Sequence, residues 1–130
     1  MRAQTATAQH LAEALQGGGL ERVIYPGLED HPQHALAMRQ MGCGSTVLAI
    51  DTGSREAAFR FLNALEIVVI SNNLGDAKSI ATHPATTTHQ RLSPEQRQGL
   101  GIGDGLIRLS VGIEDTGDLV ADIQQALDVA

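Results

Sequence analysis

The chain has no tryptophan, one tyrosine and two phenylalanines among its 130 residues, so aliphatic side chains must build the core. With so few rings (Tyr25, Phe59, Phe61), it offers no aromatic platform on which nucleobases could stack. Lysine is nearly absent too. Lys78 stands alone against eight arginines, and the net charge is −6. A chain this acidic, without basic clusters, is a poor fit to nucleic acid or to an anionic membrane. Cys43 is the single cysteine, which excludes an internal disulfide and points to a reducing compartment. No charged leader precedes an apolar run, and no unbroken apolar segment approaches the roughly 18 residues of a membrane span. These absences lead to the expectation of a soluble cytoplasmic domain.

What is present is globular in character, 42% hydrophobic and 18% charged, in a length that suits one domain with its own core. Ala8, Leu11, Ala12 and Leu15 recur at helical spacing over residues 4–16, and three glycines end the run. Residues 22–25 read as a strand stopped by Pro26-Gly27. Pro32 suits the first position of a helix reaching Met41, with Asp30 or His31 as its cap. Residues 46–50 form a second strand, and Ser54 caps a helix that buries Ala58, Phe61, Leu62 and Leu65. The continuous apolar run 67–70 predicts a central strand. From Ser71 to Leu92 periodicity disappears, and a connection of that length points to a functional loop. Ser93-Pro94-Glu95-Gln96 is a capping-box pattern. Residues 106–111 are the last strand, and Asp115 or Thr116 opens a closing helix with Leu119, Val120, Ile123, Ala126 and Leu127 on its buried stripe. The expected fold is an α/β (α+β) sandwich of about four strands with helices on one side. Pattern alone leaves strand order and direction open.

Arg108 carries the most chemistry. In the last strand Ile107, Leu109 and Val111 share one face, while Leu106, Arg108 and Ser110 share the other. The apolar trio belongs against helices, so Arg108 projects from the opposite face. A guanidinium there is a rigid fork of donors that matches a carboxylate. On spacing alone, an ion pair with Asp104 or Glu114 is the simpler explanation of the same residue. The histidines are weaker signals. A helix from Pro32 would bring His31 and His34 toward one face, and His83 and His89 flank a short loop, yet no spacing around them matches a metal site.

Three segments together resemble a known family. They are Ser71-Asn72-Asn73-Leu74-Gly75-Asp76-Ala77-Lys78-Ser79, then His83-Pro84-Ala85-Thr86-Thr87-Thr88-His89, then Leu106-Ile107-Arg108-Leu109-Ser110-Val111-Gly112-Ile113-Glu114-Asp115. Their wording is similar to the C-terminal domain of the Cys/Met-metabolism pyridoxal-phosphate enzymes (the cystathionine γ-synthase family), most of all its O-succinylhomoserine sulfhydrylase branch. The resemblance runs from Arg22 to Leu127. It implies a largely antiparallel sheet, as in the small domain of the aspartate-aminotransferase-type fold. Residues 1–130 would then be a single substrate-binding domain, with the large cofactor-binding domain absent.

The resemblance also implies roles. Arg108 would hold the α-carboxylate of the amino-acid substrate, with Asn73 at the position of a family serine that helps to place it. Asn72 stands where several cystathionine-forming or cystathionine-cleaving relatives have glutamate, which favours a small sulfur donor over an amino-acid thiol. Thr88, beside His89, falls in a Thr-His pair near the active-site entrance and joins the substrate-binding set. The activity implied is γ-replacement: O-succinylhomoserine and sulfide give homocysteine and succinate, a step of methionine biosynthesis. A cystathionine γ-synthase or γ-lyase fragment is the alternative within the family, and a free-standing amino-acid-binding domain the alternative outside it. Pyridoxal 5'-phosphate would be the cofactor of the whole enzyme. Its lysine-bearing S-x-T-K segment is not among these residues, and Lys78 reads as a solvated loop charge. No catalytic, cofactor-binding or metal-binding residue is therefore expected here, and the chain alone is expected to be inactive. Expected partners are the substrate, the large domain and further copies of the chain, brought together partly by apolar surface on the first helix.

Overall fold

A computed structural model describes residues 1–130. Five strands, β1 (Arg22–Ile24), β2 (Val47–Asp51), β3 (Val69–Ile70), β4 (Ile80–Thr82) and β5 (Leu106–Ser110), form one sheet in the order β1-β2-β5-β4-β3. The pairings β1–β2, β2–β5 and β4–β5 are antiparallel, while β3–β4 is parallel. The sheet is mixed and has five strands, not about four. The strand that sequence pattern missed is β4, which lies inside the expected loop. Ile80-Ala81-Thr82 is too short to show alternation. It becomes a strand because β5 and β3, distant and near in sequence, pair with it on either side.

The chain has five α-helices: α1 (Arg2–Leu15), α2 (His34–Met41), α3 (Arg55–Ala64), α4 (Pro94–Gly99) and α5 (Thr116–Asp128). The buried stripes of α1, α3 and α5 share a core with Leu48, Ile50, Ala81, Ile107, Leu109 and Val111 from one face of the sheet. Ser54 accepts the Ala57 amide at the start of α3, Asp115 accepts that of Asp118 at the start of α5, and Ser93 with Gln96 completes a capping box on α4. The helix expected from Pro32 begins two residues later, at His34, with Gln33 in the cap position and no side-chain cap. His31 uses its ring Nδ1 to accept the Gln33 amide, so Pro32 sits in a turn.

The stripe of α1 is closed within the chain. Ala8, Leu11, Ala12 and Leu15 are all at most 2% exposed, so this stripe supplies no sticky surface. The apolar run 67–70 is not a central strand either. The Asp122 carboxylate on α5 accepts the backbone amides of Glu66 (2.8 Å), Ile67 (3.0 Å) and Val68 (3.0 Å). Those donors are thereby taken from the sheet, and only Val69 and Ile70 remain to pair, at its edge.

Candidate functional site

Register places Ala49, Arg108 and Thr82 side by side across β2, β5 and β4, on the face turned away from the helical core. Ser110 lies on that same face, opposite Ile80. The segment 71–79 crosses this face and is tied down along its length. The Gly75 amide donates to Ser110 Oγ (2.9 Å), and Gln4 Nε2 reaches the Asp76 carbonyl (3.1 Å). The Ile113 amide donates to the Ala77 carbonyl at 2.8 Å. The Ser79 amide and hydroxyl both donate to the Glu114 carboxylate, and Ser79 Oγ in turn accepts the Gly112 amide. Exposed as it is, this loop is anchored by hydrogen bonds at Gly75, Asp76, Ala77 and Ser79.

Two glycines permit that path. Gly75 has φ +78, a left-handed conformation that strains any side chain with a Cβ. A Cβ at Gly112 would stand 2.5 Å from the Ala77 carbonyl oxygen, so a side chain there would lift the loop off the sheet end.

Arg108 is half-buried, and its Nη2 donates to the carbonyls of Asn72 (2.9 Å) and Asn73 (3.2 Å). Its Nε and Nη1 have no hydrogen-bond partner in the chain. The ion-pair reading of this arginine fails on geometry. The single salt bridge in the protein joins Arg22 to Asp51 (3.9 Å), and Glu114 is spent on Ser79. Arg108 is thus a full positive charge, aimed by neutral carbonyls and lacking an acid of its own. Such a group can receive an incoming carboxylate with charge-assisted hydrogen bonds.

Of the residues singled out in sequence, Arg108, Asn72 and Asn73 come together. The part played by the asparagines toward Arg108 is made by backbone carbonyls, which any residue type supplies. The Asn72 side chain turns the other way, and its Oδ1 accepts from Thr82 Oγ1 at 3.0 Å. Thr88 is exposed, and its hydroxyl pairs with its neighbour His89 (2.8 Å) rather than with the arginine cluster. Sequence reasoning missed Thr82, Thr87 and Ser110. Ser110 alternates with Arg108 and was legible as a same-face neighbour; Thr82 was not, because its strand was not recognised.

The histidines are apart in role. His34 Nδ1 pairs with the Pro26 carbonyl, while buried His83 packs edge-on against Phe59 and bonds Thr86 and the Asp104 carbonyl through its two ring nitrogens. No group of three or more His, Cys, Asp or Glu side chains is placed to hold a metal ion. The lysine that a Schiff base with pyridoxal phosphate needs has no built setting here either. Lys78 is the only lysine and is exposed. Its ammonium has no polar partner, and no sizeable cavity is lined by it. Of the helix N-termini, those of α3, α4 and α5 are already filled by their own Ser54, Ser93 and Asp115 caps, whereas α1 and α2 have no side-chain cap. No step through that cofactor is assigned to these residues.

Comparison with known proteins agrees with the wording of the three segments. The family model for Cys/Met metabolism PLP-dependent enzymes matches residues 1–128. The chain is 52% identical to an O-succinylhomoserine sulfhydrylase of Mycobacterium tuberculosis over 128 residues, 94% of this chain and 32% of that protein. It is 48% identical to an L-methionine gamma-lyase of Pseudomonas putida, over 94% of this chain and 31% of that protein. Among solved structures, a cystathionine gamma lyase from Micromonospora echinospora superposes with a TM-score of 0.91 at 40% identity, over 99% of this chain and 34% of that one. A Campylobacter jejuni structure assigned as an O-acetylhomoserine (thiol)-lyase, which carries an N'-pyridoxyl-lysine-5'-monophosphate, superposes with a TM-score of 0.94 at 34% identity, over 98% of this chain and 31% of that one. The chain spans about a third of the length of the curated relatives it matches. With the match running through all three segments and the whole sheet, the chain belongs to the Cys/Met metabolism PLP-dependent enzyme family.

Proposed function

We propose that this chain is the C-terminal, small domain of an O-succinylhomoserine sulfhydrylase, with the aspartate-aminotransferase-type arrangement of that fold, and that it binds the α-carboxylate of the substrate. The observation that carries the reading is Arg108: a half-buried guanidinium steadied by the Asn72 and Asn73 carbonyls and paired with no acid. An anionic group arriving at Nε or Nη1 completes its hydrogen bonding without displacing the loop. In the reaction, the Cγ–O bond to succinate breaks and a Cγ–S bond to sulfide forms, giving homocysteine and succinate. Pyridoxal phosphate, when bound to the whole enzyme, supplies the electron sink that makes such chemistry at an amino acid accessible. This chain's share is to grip and orient the substrate so that the reacting carbons face that chemistry.

The test is ligand binding by the chain itself, followed by NMR. O-Succinylhomoserine and homocysteine should shift the Asn72 and Asn73 amides and the Arg108 side-chain signals. The analogue lacking the α-carboxylate should leave them in place, and Arg108→Lys should abolish the difference. Equal shifts from both ligands would remove the carboxylate assignment. A γ-lyase is the second reading, favoured by the likeness to methionine gamma-lyase. In the full-length enzyme, sulfide-dependent release of homocysteine supports the sulfhydrylase. Release of ammonia and a keto acid regardless of sulfide supports the lyase.

A further inference from the structure

Arg108 is held by a loop, and what holds the loop is a set of hydroxyls on the sheet. Thr82 lies directly opposite Arg108 in the β4–β5 register and is 1% exposed. Its Oγ1 is 3.0 Å from Asn72 Oδ1 and 3.0 Å from Thr87 Oγ1. Thr87 Oγ1 spends its one proton on the His83 carbonyl at 2.7 Å. Thr82 therefore owns the one hydroxyl proton left between them, and given to Asn72 Oδ1 it leaves Thr87 as a packing neighbour held on the His83 carbonyl. At the other end of the turn, Ser110 Oγ, 1% exposed, accepts the Gly75 amide. The four-residue turn 72–75 is thus pinned at its first residue by Thr82 and at its last by Ser110. The two carbonyls that receive Arg108 Nη2 lie between those pins.

We propose that Thr82 and Ser110 are positioning residues for the Arg108 carboxylate clamp, fixing the Asn72 and Asn73 carbonyls that aim the guanidinium. The assignment rests on the carboxylate reading of Arg108 for its functional meaning, though not for its geometry. Neither hydroxyl touches the substrate. They act by sparing the clamp the conformational entropy of ordering an exposed turn each time a ligand arrives. A loop pinned this way meets the ligand already shaped. Asparagine at position 72 belongs to the same device: its side chain points to Thr82, so its backbone carbonyl faces Arg108.

The experiment compares wild type with Thr82→Val, which keeps the branched shape without the hydroxyl, and Thr82→Ser, which restores it. The first readout, without ligand, is the side-chain 15N spectrum of Arg108, whose Nη signals separate only when hydrogen bonds slow guanidinium rotation. Separate signals are expected in wild type and Thr82→Ser, and a single averaged signal in Thr82→Val. The second readout is the affinity for O-succinylhomoserine. It should fall about tenfold in Thr82→Val, the factor of one ordinary hydrogen bond, and recover in Thr82→Ser. If Thr82→Val does not fold, Asn72→Ala removes the same link from an exposed position and should average the Arg108 signals equally. Unchanged Arg108 signals in a folded Thr82→Val or in Asn72→Ala overturn the positioning role. Averaged signals together with a wild type blind to carboxylate ligands would leave the hydroxyl set standing and sink the carboxylate reading instead.

Discussion

Removing the Asp122 carboxylate should destabilise the chain more than most single changes distant from the site. Asp122 is 5% exposed, and its oxygens accept the amides of Glu66, Ile67 and Val68 and the Gln125 side chain (3.1 Å). In Asp122→Ala those donors lose their acceptor. Glu66 and Ile67 are exposed and their amides can turn to water, but the bond to Val68 is buried. Orphaning one buried amide costs about 1–3 kcal/mol, and exchanging two charge-assisted bonds for water adds more, so the total is about 3 kcal/mol. For a chain of this size that corresponds to a melting point lower by roughly 10 °C. The acid dependence has a definite sign. Burial pushes the carboxyl up, and the Glu66, Val68 and Ile67 amides with Gln125 outweigh it, leaving the folded pKa below the ordinary 3.8. The carboxylate's contribution is therefore complete above the unfolded value and is lost as pH falls through the folded one. Denaturant unfolding of wild type and Asp122→Asn at neutral pH and below 3.8 reads this directly: the gap between them should narrow in acid. A loss under about 1 kcal/mol in Asp122→Ala, or a gap that widens in acid, would refute the reasoning. Because this carboxylate also sets where β3 starts, Asp122→Ala should loosen the turn that leads to Asn72.

Further outcomes follow from the same geometry. In an intact enzyme carrying this domain, Arg108→Lys keeps the charge but loses the planar donor set, and kcat/KM should fall about 30- to 160-fold, the equivalent of about 2–3 kcal/mol of transition-state stabilisation, with cofactor absorbance unchanged; wild-type kinetics would make Arg108 structural. Tyr25 is the only tyrosine, and burial, with Cys43 and Glu13 adding negative charge nearby, pushes its hydroxyl up to about 12. Absorbance titration of tyrosinate in the folded chain should show that midpoint. Stability should be complete below pH 10.0 and decline as pH rises through about 12, a decline that Tyr25→Phe removes. The same variant loses the bond to the Ser45 carbonyl (2.8 Å) and about 1 kcal/mol at neutral pH. Ser54→Ala deprives the Ala57 amide of its acceptor and should cost about 1 kcal/mol in thermal unfolding, with no effect at Arg108.

The sequence by itself determined the elements whose signals are local. The stripe of Ala8, Leu11, Ala12 and Leu15, the Ser54 and Asp115 caps and the Ser93 capping box all appear where spacing and side-chain chemistry put them. Alternation in residues 106–111 also separated Arg108 from the apolar face of its strand, because a pleated strand sends neighbouring side chains to opposite sides. Tertiary structure decided what depends on partners distant in the chain. Residues 80–82 are a strand because β5 and β3 pair with them on either side, and residues 66–68 leave the sheet because Asp122, more than fifty residues on, takes their amides. The partner of Arg108 was undecidable from spacing for the same reason. Two acids lay nearby in sequence, yet the fold spends Glu114 on Ser79 and offers the guanidinium backbone carbonyls 36 and 35 residues away. A carbonyl carries no residue signature, so a site aimed by carbonyls is written in the path of the chain rather than in its letters.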